Sequence, residues 1–199
     1  MLKSLRLLLS LCLLGASGLA TAAEATAVVD TLHSALLETM KNATTLGFKG
    51  RMEKLGPVLD STFDFPSIAK VVTGRHWQSL PEDKRQAFIK AFRDLSVATY
   101  AENFSGFGGE SFETLGHEQK KNSELVRTNI VTRDAKRVSL NYVLTKNGEE
   151  WHIVNVVAEG VSDLALKRSE YDGIIGAEGI DSLVAKLNGK VASYVAAGK

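Results

Sequence analysis

The apolar residues of this chain change their spacing twice, and this change limits the folds that the chain can adopt. From Glu24 to Phe104 they recur three or four residues apart, which is the period of an amphipathic helix. From Glu110 to Glu159 they recur at every second residue, and after Gly160 the helical period returns. This order predicts an α+β fold in which several helices cover one face of a curved antiparallel sheet.

The segment with a period of two predicts four strands joined by short turns. Its clearest alternation occupies two neighbouring stretches: Val138, Leu140, Tyr142 and Leu144, then Trp151, Ile153, Asn155 and Val157. Between them, Asn147-Gly148 is typical of a two-residue hairpin turn. We therefore expect a four-stranded antiparallel meander with one apolar face turned toward the helices.

Capping signals predict where several helices begin and end. Asp64 is placed to cap a helix that has Pro66 in its first turn and stops at Gly74. Ser162 is a second predicted N-cap, at the start of the helical segment near the C-terminus. Further breaks or kinks are expected at Gly47, Gly50, Pro57, Gly176 and Gly179.

The first 23 residues have the pattern of a secretory signal peptide. Lys3 and Arg6 precede an apolar run over residues 7–14, and small residues follow up to Ala23. The run is short for a membrane anchor, and Leu11 stands before Cys12 where a lipoprotein signal needs a small residue. We expect cleavage after Ala22 or Ala23, which leaves residues 24–199 as a single domain outside the cytoplasm.

Loss of the signal peptide would change the charge and the redox chemistry of the chain. It removes two basic residues and no acid, so the net charge moves from +1 to about −1. It also removes the only cysteine, and with it any disulfide or thiol nucleophile. A nearly neutral chain with no basic block argues against a nucleic-acid-binding protein.

The polar residues do not form a recognisable catalytic or metal-binding pattern. His33, His76, His117 and His152 are scattered, without the spacing of a zinc site. Ser162 follows Gly160-Val161, but the second glycine of a nucleophile elbow is missing. Carboxylates are plentiful, yet nothing in the sequence selects a pair among them. We therefore expect no enzyme activity, no cofactor and no metal.

The remaining feature is a large amount of apolar surface on the helix faces that turn toward the sheet. Such residues either fill an ordinary core or line an apolar cavity that is open at one end. Hydrophobic periodicity is the same in both cases, so the sequence pattern leaves both alternatives open.

A series of short motifs over residues 25–190 resembles the toluene-tolerance, or MlaC-like, family of periplasmic lipid-binding proteins. The motifs are Asp64-Phe65-Pro66-Ser67-Ile68-Ala69, Gly74-Arg75-His76-Trp77, Phe92-Arg93-Asp94-Leu95, Trp151-His152-Ile153, Glu159-Gly160-Val161-Ser162 and Arg168-Ser169-Glu170-Tyr171. Residues 40–51 and 98–104 are more similar to the hopanoid-associated HpnM branch of the family.

The resemblance implies a monomeric periplasmic carrier that holds lipid tails in an apolar cavity between the sheet and the helices. The carrier would exchange a hopanoid or a phospholipid with a membrane-embedded transporter in the inner or outer membrane. The alternative is a non-carrier adaptor subunit of such a transport complex. The residues expected to bind lipid are Phe65, Ile68, Val72, Phe92, Leu95, Tyr100, Phe104, Tyr142, Leu144, Ile153, Val156, Val161, Tyr171 and Ile175. Arg75 and Arg168 would either meet the head group or cap local structure.

Overall fold

The computed structural model describes the backbone of residues 16–197 and the side chains from Ala23 onward. Six α-helices and one sheet follow the predicted order of helices, strands and helices. The helices are α1 (Ala16–Lys41), α2 (Ala43–Thr62), α3 (Phe65–Thr73), α4 (Glu82–Asn103), α5 (Asp163–Glu178) and α6 (Ile180–Ala197), with a 3₁₀ helix at Gly74–Ser79. The strands are β1 (Ser111–Lys120), β2 (Ser123–Val131), β3 (Arg137–Asn147), β4 (Glu150–Ala158) and β5 (Val161–Ser162).

The α+β class is confirmed, and the number of strands is corrected from four to five. The sheet is an antiparallel meander in the order β1-β2-β3-β4-β5. The fifth strand arises because Glu159 and Gly160 both take positive φ values, of 49° and 80°. These angles fold the chain back so that Ala158 pairs with Val161.

The β3–β4 turn lies one residue beyond its predicted place. Asn147 pairs with Glu150, so Gly148 and Glu149 form the two-residue loop, and Gly148 has a φ of 63°. The Asn147 side chain amide instead donates to Asp64 Oδ2 at 3.3 Å. This contact ties the hairpin to the start of α3.

An extra residue in β4 changes which side chains face the helices. Leu144 pairs with Ile153, but Val143 pairs with Asn155, so Val154 is an unpaired bulge. The face of Ile153 is therefore continued by Val156 and Ala158, which pair with Tyr142 and Leu140. The prediction that the alternation of Trp151 and Ile153 continues through Asn155 and Val157 is wrong, because the bulge at Val154 shifts the pairing by one residue.

Both predicted helix N-caps are present. Asp64 Oδ1 accepts a hydrogen bond from the Ser67 amide at 2.9 Å, and α3 ends at Gly74 as expected. Ser162 Oγ accepts from the Ala165 amide at 3.1 Å at the start of α5.

The observed helix breaks agree only in part with those predicted from the sequence. Gly47 interrupts α2 with a φ of 60° and a ψ of −178°, and Gly179 separates α5 from α6. Gly50 and Gly176 are instead helical, and Pro57 also lies inside α2. Whether a glycine ends a helix depends on the tertiary packing around it. The residue type alone therefore does not distinguish Gly47 and Gly179, which interrupt helices, from Gly50 and Gly176, which do not.

The core lies between the apolar face of the sheet and the helices. Different helices cover different parts of that face. Helix α1 covers one part of the sheet, in contact with β1, β2 and β4. Helices α3 and α5 also contact β4, and α4 packs mainly against α2 and α6. Within residues 16–197, none of the helices combines the length and the apolar character needed to span a bilayer.

Candidate functional site

A pocket of about 640 Å³ lies between the sheet and helices α2–α6, away from the area that α1 covers. This volume falls within the range of roughly 300–1,000 Å³ that small-molecule sites occupy. The lining is mostly apolar, and the polar residues among it come mainly from α4, α5 and α6. The side chains around this space therefore leave room for an apolar ligand of substantial size.

Helix α4 forms one wall because a single stripe of the helix faces the pocket. Residues 92, 95, 96, 99, 100, 103 and 104 all line it, at the spacing of one helical face. The Tyr100 and Phe104 rings stack with centroids 5.7 Å apart, and Tyr100 also meets Phe63 edge-on at 5.9 Å. Aromatic rings packed on one another give this wall a defined shape.

Two tyrosines present phenol groups in this apolar environment. Burial raises the pKa of both Tyr100 and Tyr171 above the usual value, so both phenols stay protonated in the physiological range. The Tyr171 ring is held edge-on against Phe88 and Phe92, with centroid distances of 6.0 and 6.3 Å. The pocket wall is therefore uncharged at these positions.

The floor of the pocket comes from the sheet, and the bulge in β4 creates it. Val154, Val156 and Ala158 line the pocket from β4, together with Ile130 of β2 and Leu140 of β3. Without the extra residue at Val154, the even-numbered residues that follow it would face the opposite side of the sheet.

Among residues 23–197, the charged residues that line the pocket come from α5 and α6. Lys167 donates to Asp163 at 2.6 Å within α5. On α6, Lys186 pairs with Glu178 at 3.0 Å. Glu170 and Lys190 also line the pocket, and no hydrogen bond or ion pair of either side chain is found within residues 23–197.

The structure places eight of the fourteen predicted residues along the pocket. These are Phe65, Ile68, Phe92, Leu95, Tyr100, Phe104, Val156 and Tyr171. They come from α3, α4, β4 and α5, and the structure brings these four elements together around the pocket.

The other six predicted residues do not line it. Tyr142, Leu144 and Ile153 are fully buried elsewhere on the sheet face, and Tyr142 Oη lies 3.0 Å from His33 Nε2 of α1. The remaining three are Val72 (fully buried in α3), Ile175 (buried in α5) and Val161 (51% exposed in β5). Periodicity identified the buried face but not which helix covers which part of it.

Sequence reasoning missed the contribution of α6. Leu183, Leu187 and Tyr194 line the pocket together with Lys186 and Lys190. The signal was the helical spacing of Leu183 and Leu187, which predicts a helix but not its position against α4.

Neither candidate head-group arginine lines the pocket. The Arg75 guanidinium pairs with Asp172 at 3.1 Å, and His76 contacts the same carboxylate at 3.0 Å. Arg168 lies beside Gly74, where an added Cβ would meet its guanidinium at 3.5 Å. Both arginines therefore belong to the contact between α5 and the end of α3. Among residues 23–197, no group of three or more His, Cys, Asp or Glu side chains is placed to hold a metal ion.

Known proteins are similar to this chain in sequence and in fold. The intermembrane phospholipid transport system binding protein MlaC of Haemophilus influenzae is 25% identical over 121 residues, which cover 58% of this chain and 56% of that protein. The chain thus matches a little over half the length of this curated relative. A phospholipid-binding protein from Ralstonia solanacearum, solved in complex with a phospholipid, shares the fold with a TM-score of 0.74 and 20% identity, over 86% of this chain and 99% of that one. The MlaC protein family model matches residues 30–189, and the chain therefore belongs to the MlaC family.

Proposed function

We propose that this protein is a lipid carrier that holds the tails of a phospholipid in the pocket between the sheet and helices α2–α6. The observation that carries the proposal is the unfilled, largely apolar volume of about 640 Å³ at this place. An adaptor subunit that only docks on a transport complex has no need for such a space, so the pocket favours the carrier over the adaptor.

The physical basis of binding is the transfer of lipid tails out of water. Each methylene buried contributes roughly 0.8 kcal/mol, so two partly enclosed tails are retained without a covalent bond or a metal. Tyr100 and Tyr171 support this role because Tyr171 is buried, Tyr100 is half-buried, and both phenols remain neutral. The head group would stay at the side of the pocket where the charged residues of α5 and α6 lie.

The relatives support the cargo and the setting of the proposal. The Haemophilus relative is named for intermembrane phospholipid transport, and the Ralstonia structure holds a phospholipid. We therefore propose that the mature protein, residues 24–199, works as a monomer in the periplasm and shuttles lipid between the two envelope membranes. Its partners would be membrane-embedded lipid transporters.

A hopanoid is the second cargo, suggested by the resemblance of residues 40–51 and 98–104 to the HpnM branch. A rigid polycyclic body would require apolar area and shape, without a phosphate contact. The phospholipid is favoured because charged side chains line the pocket from two helices.

The test is native mass spectrometry of the protein purified without detergent from its own periplasm, followed by extraction of the bound molecule. We expect one phospholipid per protein. A polycyclic lipid would reassign the cargo, and an apo mass that persists after incubation with phospholipid vesicles would overturn the carrier proposal.

Filling the pocket provides the matching variants. Leu95→Trp and Thr99→Phe place bulk where both residues line the pocket, and we expect loss of the bound lipid with unchanged circular dichroism. Ala87→Trp is the control, because Ala87 is exposed on the same helix and does not line the pocket. Thr99 is only half-buried, so its variant tests the pocket even if Leu95→Trp disturbs the fold.

A further inference from the structure

The five charged residues that line the pocket among residues 23–197 can be sorted by whether they already have a partner. Lys167 is neutralised by Asp163, and Lys186 by Glu178, which lies outside the lining. Across residues 23–197, no ion pair satisfies either Lys190 or Glu170. The pocket therefore keeps one cation and one anion whose charges are available to a ligand.

The two side chains lie on different helices that line the same pocket. On α6, Lys190 lies between Leu187 and Tyr194, and all three residues line the pocket. Helix α4 packs against α6, and Lys84 near its start pairs with Asp181 near the start of α6 at 2.7 Å. Residues of α4 from Phe92 onward line this same pocket.

Helix α5 brings Glu170 to the same pocket. Its neighbour Tyr171 packs edge-on against Phe88 and Phe92 of α4, at 6.0 and 6.3 Å between ring centroids. Glu170 and Lys190 thus line one pocket from two different helices.

We propose that Glu170 and Lys190 recognise a phospholipid whose head group carries both a phosphate and an amine. The phosphate would accept hydrogen bonds from the Lys190 ammonium, and the amine of the head group would donate to the Glu170 carboxylate. This inference rests on the proposed function and specifies its cargo. A purely anionic head group would satisfy Lys190 but would be repelled by Glu170.

Both side chains are largely exposed, so the head-group contacts adjust selectivity while the buried tails supply most of the affinity. Exposed ion pairs of this kind change a binding constant about 2- to 5-fold. The selectivity between two lipids with identical tails is therefore the quantity to measure, because the contribution of the tails cancels.

The experiment measures transfer of lipid from vesicles to the delipidated full-length mature protein. One set of vesicles contains phosphatidylethanolamine and the other phosphatidylglycerol, each diluted into the same host lipid and with the same tails. We expect the protein to take up phosphatidylethanolamine about 2- to 5-fold more strongly. Glu170→Gln should remove this preference, and Lys190→Gln should weaken uptake of both lipids.

Lys121→Gln and Glu149→Gln are the matched controls. Both residues are exposed in β-turns, line no part of the pocket and make no ion pair with any residue between 23 and 197. Each removes the same charge as one of the test variants, so a general electrostatic effect of the protein on the vesicles would appear in the controls as well.

The outcomes separate the two proposals. Equal uptake of both lipids, unchanged by Glu170→Gln, would overturn the head-group assignment and leave the carrier function standing. Uptake of neither lipid would overturn both. Free phosphoethanolamine should not compete, because it lacks tails, and competition by it would identify a soluble ligand instead of a lipid.

Discussion

His33 Nε2 of α1 lies 3.0 Å from Tyr142 Oη of β3, and both side chains are buried. The imidazole also stacks on Phe112 of β1, with ring centroids 3.8 Å apart. Burial lowers the pKa of His33 to about 4 and raises the pKa of Tyr142, so the two groups share a hydrogen bond in their neutral forms. A titratable group thus lies in the contact between α1 and the sheet.

This contact predicts a loss of stability in mild acid. Between about pH 6.5 and pH 4, the unfolded chain binds a proton at His33 and the folded chain does not. The free energy of unfolding therefore falls by about 1.4 kcal/mol for each pH unit of acidification, or about 3 kcal/mol over the window. Urea unfolding at a series of pH values measures this slope.

The variant His33→Leu should flatten the slope over that window, because leucine does not titrate. Tyr142→Phe removes the hydrogen-bond partner but keeps the imidazole, so the slope should remain. If wild type and His33→Leu lose stability equally on acidification, His33 is not the responsible group.

The contact between buried Glu124 and exposed His117 predicts an unequal response to removal of either partner. Glu124 is 1% exposed, its Oε1 lies 2.8 Å from His117 Nδ1, and its Oε2 has no hydrogen-bond partner among the described residues. His117→Ala leaves both carboxylate oxygens unpaired and should cost about 1–3 kcal/mol. Glu124→Leu removes the buried polar group together with its desolvation penalty and should change stability by less than about 1 kcal/mol.

A double-mutant cycle checks this expectation by chemical unfolding. In the Glu124→Leu background, His117→Ala should cost little, because no carboxylate is left unpaired. An equal cost of His117→Ala in both backgrounds would mean that the histidine stabilises the sheet through other contacts.

The N-cap of α3 predicts a measurable loss on truncation. Asp64 accepts from the Ser67 amide at 2.9 Å and from Ser67 Oγ at 2.7 Å. Asp64→Ala should therefore destabilise the protein by about 1–2 kcal/mol in urea unfolding, and Asp64→Ser should recover part of this. Asp83→Ala is the control, because Asp83 is exposed in the first turn of α4 and no side-chain cap forms there. Equal losses from the two alanine variants would argue against the cap.

Two glycines in helices should respond in opposite directions to alanine. Gly47 has a φ of 60° at the kink of α2, and Gly189 is helical in α6, while an added Cβ meets nothing within 4 Å at either site. Gly47→Ala should thus cost about 1–3 kcal/mol through backbone strain alone. Gly189→Ala should stabilise by about 0.5–1 kcal/mol, because alanine favours the helix. Thermal unfolding of both variants provides the comparison, and the same sign of change in both would refute the role of φ.

Local chemistry made much of the fold predictable. The switch from a helical period to a period of two and the caps at Asp64 and Ser162 each depend on neighbouring residues only. Such signals do not need the rest of the molecule, so a single sequence is sufficient to read them.

The parts that were wrong or missing depend on contacts between distant segments. The bulge at Val154 is a property of the β3–β4 pairing, and the position of α1 over Tyr142 depends on packing between segments over 100 residues apart. For the same reason, α6 was identified as a helix but its place along the pocket was not. Periodicity indicates that a residue is buried without indicating its neighbour.

The bulge in β4 divides one strand into two parts with different surroundings. It separates Ile153, which is fully buried away from the pocket, from Val156 and Ala158, which line the pocket. Substitutions after the bulge should therefore change the shape of the pocket, whereas substitutions at Ile153 should chiefly change the stability of the fold.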